Sequence, residues 1–476
     1  MNPSPDAIVV GSGPNGLAAA VTLARAGRRV RVLEAQPTIG GGARSAELTL
    51  PGFVHDLGSA IHPLGFASPF FNTLPLERHG LRWVQPEVAV AHPFDDGTAA
   101  ALYPSLDRTC DALGADGRAW GKLMSPFVKR WEALSAEFLQ PMLHFPRHPF
   151  LLAGFGLAAL QPSTFFARRL FRGQHARGLL AGLAAHSFLP LEAPGTTAFA
   201  LVLGAAGHAV GWPLPAGGSQ RISDALAGVL RELGGEIETN QPVTDLRALP
   251  ATRATLLDLS VWRAADVAGT LLPASYRRHL ERFPHGPGVF KVDYALDGPV
   301  PWTADACRRA GTVHVGGTLE DVARSERDNT RGKLTPRPFV LAAQQSLFDP
   351  TRAPAGKHTL WAYCHVPYGC TEDRTAAIEA QIERFAPGFG RTILARHVSG
   401  PRQLEAGNAS LVGGDISGGD NDLWHLLARP TLRADPYRMP GGRGLYLCSS
   451  STPPGGGVHG MCGHLAARAA LSRELR

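Results

Sequence analysis

Three glycines, Gly11, Gly13 and Gly16, interleaved with Ser12, Pro14 and Asn15, form the first constellation able to do chemistry. Gly11 permits a tight turn, Gly13 lets backbone amides approach a pyrophosphate, and Gly16 lets a helix pack closely on a strand. Glu34 adds an acidic group suited to accept hydrogen bonds from ribose hydroxyls. The chemistry is dinucleotide binding, and within this unit alone NAD, NADP and FAD all remain open. Residues 35–45 follow with Ala35, Gly41, Gly42, Arg44 and Ser45. Consecutive glycines bring N–H groups to an anion, and Arg44 supplies positive charge beside a pyrophosphate. A second glycine turn, SSSTPPGGGVHGM over residues 449–461, again enters a helix of small residues, which is an anion-binding arrangement.

Other chemistries find no pattern to carry them. Cys110, Cys307, Cys364, Cys370, Cys448 and Cys462 include no CxxC pair and no metal-ligand spacing, so they read as reduced thiols and no metal is expected. His55, His62, His208, His365, His459 and His464 form no HExxH, and no GxSxG elbow is present. His459, inside the second glycine turn, is the one histidine considered for acid or base duty, and that duty requires geometry. No second fingerprint for NAD(P)H follows, which favours reoxidation by dioxygen or a quinone, or a redox-neutral cycle.

The elements that must position these groups are readable from periodicity. Residues 7–10 are a β-branched run, 17–26 carry apolar residues at helical spacing, and 29–33 are a second strand, completing a βαβ unit. Residues 444–448 read as a strand before the C-terminal helix, which runs through Ala470. Between them, residues 107–139 read as helices with a cap at Ser105 or Asp107, covering a cavity. Residues 235–240 and 242–246 read as paired strands, and 254–259 as the next strand. Residues 289–297 and 359–366 alternate as strands of a substrate-domain sheet, 376–385 read as a helix, and 413–421 as a glycine-rich loop.

The 476 residues, 44% hydrophobic and 18% charged, suit a globular chain of several domains, and the formal charge of +7 comes mostly from arginine. No motif supports nucleic acid as a partner. The first strand begins within a few residues of Met1, leaving no room for a signal peptide, and residues 150–160 are too short for a span of ~20 residues. A cytoplasmic protein is expected.

GSGPNG, LEA, GGGARS, FVHDLGS at residues 53–59, PAGG at residues 215–218 and the distant TPPGGGVHGM resemble the phytoene desaturase-related FAD oxidoreductases, within the amine-oxidase-like flavoprotein group. The resemblance implies an α/β fold: a Rossmann-like FAD-binding domain of glutathione-reductase type, with an inserted α+β substrate domain of mixed sheet and covering helices. It divides the chain into FAD-binding parts at 1–75, 205–260 and 429–476 and substrate-domain parts at 76–204 and 261–428. FAD is the implied cofactor. Gly58 and Ser59 would lie near the isoalloxazine, Val243 would meet the adenine through its backbone, and Gly457 and Val458 would lie beside the ribityl chain and ring. Ser449 or Ser450 stands where many relatives carry an acidic residue, so ribityl contact would come from a hydroxyl or the backbone. Between Leu246 and Leu256 there is little room for the extra β-meander of longer relatives.

The implied activity is desaturation of a long apolar substrate, a carotenoid precursor or other lipid, by hydride transfer to the flavin. The alternatives are a redox-neutral isomerase of a polyene or unsaturated fatty acid, and a non-catalytic FAD-containing interaction protein. Residues 145–177 interleave aromatics with Arg147, Arg168, Arg169, Arg172 and Arg177, a composition suited to peripheral contact with the inner face of a membrane.

Overall fold

The structure is a computed structural model and describes residues 4–441 and 444–476. The buried run Ala7–Val10 is the centre of a five-stranded, all-parallel sheet ordered Leu445–Leu447, Ala254–Leu257, Ala7–Val10, Val30–Leu33, Glu236–Glu238. Its strands come from three separate stretches of chain. Helix Pro14–Arg25 starts with proline at its first position, where no N–H is needed, and every residue from Asn15 to Ala24 is buried. That all-round burial follows from its two neighbours, helices Gln220–Glu232 and Met461–Leu471, which flank it.

A seven-stranded mixed sheet forms the second layer system, ordered Ile393–Ser399, Gly288–Leu296, His358–Val366, Val340–Ala343, Ala310–Val315, Val88–Pro93, Ala99–Leu102. Only the pair Ala310–Val315 and Val88–Pro93 runs parallel. Gly288–Leu296 is buried along its whole length because both faces of the sheet are covered. One face packs under helices Gly117–Val128, Gln174–Ala184, Thr196–Ala209 and Leu319–Thr330, with Trp120, Leu134, Leu179 and Leu201 in that core. The other face packs Val292, Tyr294 and Trp302 against Ile378, Ile382 and Phe389.

Residues 107–139 are helical, as Leu106–Ala112, Gly117–Val128 and Trp131–Phe138, and the first is capped by Ser105, whose Oγ accepts the Arg108 N–H. The stretch 76–204 does more than cover: Val88–Pro93 and Ala99–Leu102 join the large sheet. The expected strand pair at residues 235–246 is corrected. Glu236–Glu238 is a strand, but it pairs in parallel with Val30–Leu33, and residues 242–246 form no strand. Pro242 cannot donate to a ladder, and Asp245 instead accepts the Arg247 N–H and starts the short helical turn Leu246–Ala248. Residues 145–177 break into Pro149–Ala159 and Ser163–Leu170, bent 95° to one another, and the start of Gln174–Ala184. Among the described residues no single helix is long and apolar enough to cross a membrane.

Candidate functional site: two glycine turns and a charged sheet face

The first glycine turn is closed by contacts that tolerate no side chain. Gly11 sits at φ 97°, and a Cβ on Gly16 would lie 2.2 Å from the Gly11 carbonyl oxygen. Gly13 caps helix Pro14–Arg25 through its backbone alone, and the first helical turn itself holds no acidic residue, although the Gly16 N–H already donates to Asp258. The buried Asn15 Oδ1 has no partner among the described residues. The Gly40–Gly42 loop lies directly over this turn: a Cβ on Gly41 would come within 3.0 Å of Gly13 Cα, and the Gly40 N–H donates to the Ser12 carbonyl. Gly58 and Ser59 abut the same loop. The Ser59 N–H donates to the Gly42 carbonyl, and a Cβ on Gly58 would meet that oxygen at 2.3 Å.

Glu34 ends its strand with the carboxylate buried, accepting from Ser12 N–H at 2.9 Å, from Ser12 Oγ, and from Gln36 N–H at 2.9 Å. Ala35 beside it is exposed. Gln241 N–H donates to the Glu34 carbonyl and Asn240 N–H to that of Gln36, which brings the half-buried Val243 loop alongside the Glu34 end of the turn. Arg44 is tied down: Nε donates to the Gly41 carbonyl at 2.9 Å and NH2 to that of Gly407 at 2.6 Å, and burial lowers its pKa. Ser45 Oγ donates to Asp56 rather than standing free.

The two turns, distant in the chain, touch. A Cβ on Gly463 would lie 1.7 Å from the Asn15 carbonyl oxygen, so helix Met461–Leu471 is seated on the start of Pro14–Arg25. Ser449 Oγ accepts the Ser451 N–H, and the Ser450 carbonyl accepts Arg429 Nε, so both serines are committed to shaping the turn. Gly457 stands at φ 128°, and Val458 is half-buried with its carbonyl against Gly65. His459 caps the last helix: its Nδ1 accepts the Met461 N–H at 3.0 Å, and burial pushes its pKa down to about 4. Its Nδ1 is thus committed to the start of this helix, and Nε2 is the ring nitrogen left for any other contact.

Sequence reasoning missed the groups around this cradle. Asp258 follows strand Ala254–Leu257 and accepts the Gly16 N–H at 2.9 Å, and burial pushes its carboxyl up to about 7. Between the two sheets lies a buried ionic cluster. Asp56 accepts from Arg352 NH2 at 2.7 Å, Ser219 N–H at 2.8 Å and Ser45 Oγ at 2.7 Å. Burial alone would raise the Asp56 pKa, but Arg352 and these donors hold it below the ordinary carboxylate value. Neighbouring His55 is pushed down to about 4 by burial, with Asp293 3.8 Å away opposing. Lys291, also buried, is ion-paired to Asp293 and stands 5.9 Å over the Trp361 ring. Trp361 in turn donates from Nε1 to the Gly58 carbonyl, tying the large sheet to the glycine cradle. A signal was present: Lys291 and Asp293 alternate with Phe290 and Val292 on a strand buried throughout, so period two places both charges on the face with Val289.

Residues 9–74 match the family model of an NAD(P)-binding Rossmann-like domain. Over its whole length the chain is 27% identical to pyridine nucleotide-disulfide oxidoreductase domain-containing protein 2 of Mus musculus, covering 94% of that protein. It is 25% identical to the neurosporene-forming phytoene desaturase of Rhodobacter capsulatus, over 96% of this chain and 92% of the desaturase. Its fold is that of cyclohexylamine oxidase from Brevibacterium oxydans, with a TM-score of 0.61 over 100% of both chains at 15% identity. With both glycine turns joined on a parallel sheet and that sequence likeness extending across nearly the entire chain, the protein is similar throughout to phytoene desaturase-related oxidoreductases and shares the fold of the amine-oxidase flavoproteins.

Proposed function

We propose that the chain binds FAD and uses it to remove hydrogen from a long, largely apolar substrate. The observation that carries this reading is the convergence of Gly13, Gly41, Gly58 and the second glycine turn on one cradle whose approaches a Cβ would obstruct. Such bare backbone suits an extended pyrophosphate ligand. The Gly13–Asn15 and Gly41–Gly42 backbone would hold the pyrophosphate, Glu34 and the Val243 loop the adenosine, and Gly58, Ser59, Gly457 and Val458 the ring end. FAD, when bound, supplies the two-electron acceptor.

The residues of this chain then have distinct tasks. Trp361 and Tyr363, on one strand face, provide aromatic walls, and their rings meet edge to face with centroids 4.9 Å apart. Lys291, paired to Asp293, holds a buried positive charge beside Trp361 where charge changes during reaction. Val289, Leu341 and Leu404, buried with Tyr363, exclude water from the substrate's path. The name of the Rhodobacter relative supports desaturation as the form of the reaction. The test is reconstitution with FAD followed by anaerobic addition of C15 to C40 isoprenoids. Bleaching of the flavin bands with a new double bond in the product supports the reading, and a chain that takes up no FAD ends it.

The same reading includes docking on a membrane surface, from which an apolar substrate would be drawn. It is supported by Phe145, Phe150 and Leu157, at 93%, 91% and 77% exposure, with exposed Arg168, ion-paired to Glu320, and Arg169 in the same stretch of chain. Sedimentation with anionic vesicles tests it, with Phe145→Ser/Phe150→Ser expected to stay in the supernatant.

A further inference from the structure

The helix-covered face of the large sheet carries a second polar constellation beyond Lys291. Lys291 and Tyr363 are direct cross-strand partners, as are Val289 and His365, so His365 is a diagonal neighbour of Lys291, about 7–8 Å away Cα to Cα. Trp361, Tyr363 and His365 share one face of strand His358–Val366, which puts His365 about 13 Å from the Trp361 that touches Gly58.

His365 is held by a carboxylate. Its Nδ1 lies 2.6 Å from Glu326 Oε2, and Glu326 and Asn329 stand one turn apart on helix Leu319–Thr330. All three side chains are more than nine-tenths buried. His365 Nε2, Glu326 Oε1 and both amide atoms of Asn329 have no hydrogen-bond partner among the described residues. Around them the core is Leu319, Val322, Ala323 and Phe339. Each unpaired buried polar atom destabilises the fold, and an apolar side chain at these positions would avoid that cost. Phe188, whose ring is tilted 37° against that of His365 with centroids 4.2 Å apart, adds to it by adopting φ 62°, a left-handed conformation that aromatic residues rarely hold. Strain and orphaned polar atoms in one place mark a site for something else.

The donor pattern states what. With Nδ1 engaged by Glu326, Nε2 is the His365 ring nitrogen left to meet a ligand, as acceptor or donor according to the tautomer. Asn329 offers a donor and an acceptor a helical turn away. A group that both gives and takes a hydrogen bond, a hydroxyl, fits that pair; a bare hydrocarbon leaves both unpaired. We propose that His365, Glu326 and Asn329 bind a hydroxyl carried by an otherwise apolar substrate, fixing which carbon is presented at the Lys291 and Trp361 end. The inference rests on the apolar-substrate reading above and narrows it to oxygenated chains.

The test uses the full chain loaded with FAD and two probes of equal carbon skeleton, all-trans-farnesol and the hydrocarbon β-farnesene, with dissociation constants read by tryptophan quenching. The expected result is that farnesol binds about tenfold more tightly than farnesene. His365→Phe and Asn329→Leu should each bring that ratio close to one, with flavin absorbance and thermal midpoint retained. Glu326→Gln should reduce the ratio partway by loosening the ring, and it supplies the readout if His365→Phe fails to fold. Equal binding of both probes by the native chain, or a preference that survives substitution of His365 or Glu326, overturns the hydroxyl site alone. Binding of neither probe removes the apolar-substrate reading and the hydroxyl site with it.

Discussion

On the proposed reading, the parallel-sheet region and the large mixed sheet would serve recognition by opposite means. The first is a main-chain surface, where Gly11, Gly13, Gly41, Gly58 and Gly457 let segments pack without side chains and backbone amides would do the binding. The second is a side-chain surface, where Lys291, Trp361, Tyr363 and His365 project from strands whose partners are distant in sequence. A backbone site is rigid, indifferent to the rest of the substrate and intolerant of any added atom. A side-chain site can be retuned one residue at a time, which is what lets related chains sharing a cradle act on different molecules.

That contrast can be broken most severely at the contact between the two glycine turns. Gly463→Val would drive a side chain into the Asn15 carbonyl, and Gly16→Ala into that of Gly11. Overpacking at backbone that cannot yield is expected to cost about 3 kcal/mol or more, read as loss of soluble protein or of cofactor retention on gel filtration. Tolerance of either change would mean the cradle is not rigid.

The seam between the regions comes next. Arg352→Met leaves Asp56 buried and unpaired and should lower stability by about 3–5 kcal/mol in urea unfolding, with Asp56→Asn/Arg352→Met recovering much of it. Because the folded Asp56 pKa lies below the ordinary value near 3.8, its contribution is complete above that value and is lost as pH falls through the folded pKa. Without Arg352, burial raises the Asp56 pKa instead, so the stability gap between Arg352→Met and the double variant should narrow as pH falls.

On the side-chain surface the effect should be kinetic. Lys291→Met combined with Asp293→Asn, which avoids leaving a buried carboxylate unpaired, is expected to keep FAD and the fold but lower turnover by about a hundredfold or more, measured as the rate of anaerobic flavin bleaching. Equal losses of flavin and of turnover would assign Lys291 to the fold instead.

The smallest effect concerns Asp258 below the first turn. Its folded pKa is raised to about 7 by burial, so the protein without cofactor should lose stability as pH rises from about 4 to about 7. Asp258→Asn should flatten that dependence and tighten FAD binding severalfold at pH 8, where the carboxylate otherwise faces the same helix start as the pyrophosphate. Titration of the cofactor-free chain at pH 5 and pH 8 checks both signs.

The same contrast explains what was legible in the sequence. The backbone site depends on residue type at fixed local spacing, so GSGPNG, GGGARS and PPGGGVHGM could be read directly, as could the strand and helix flanking each. Glu34 was legible for its place, although its carboxylate engages Ser12 and Gln36. The strand expected at residues 242–246 failed because local alternation says nothing of partners, and Pro242 with the Asp245 turn leaves Glu236–Glu238 as the last strand of the sheet. His459 stood out by proximity to a motif, and the structure adds that its Nδ1 accepts the Met461 N–H at the start of the last helix. Lys291, Asp293, Arg352, Asp258 and the His365–Glu326 pair depend on register between strands and helices far apart in the chain, which no local spacing encodes. Their one local trace is a charged or titratable residue at alternate positions of an otherwise buried strand.

The three-stretch origin of the parallel sheet has a consequence for how the protein is made. Helix Pro14–Arg25 is apolar nearly all round and is covered only when Gln220–Glu232 and then Met461–Leu471 arrive. During synthesis its sticky surface emerges early and must wait for almost the whole polypeptide before it is sealed. Contacts of such large sequence separation close slowly. The last turn participates to the end: Leu475 is fully buried, and Arg28 Nε donates to its carbonyl at 3.0 Å. Ribosome-bound intermediates lacking this final segment should be clients for chaperones, and a bulky tag fused directly after Arg476 should depress yield more than one placed before Ser4.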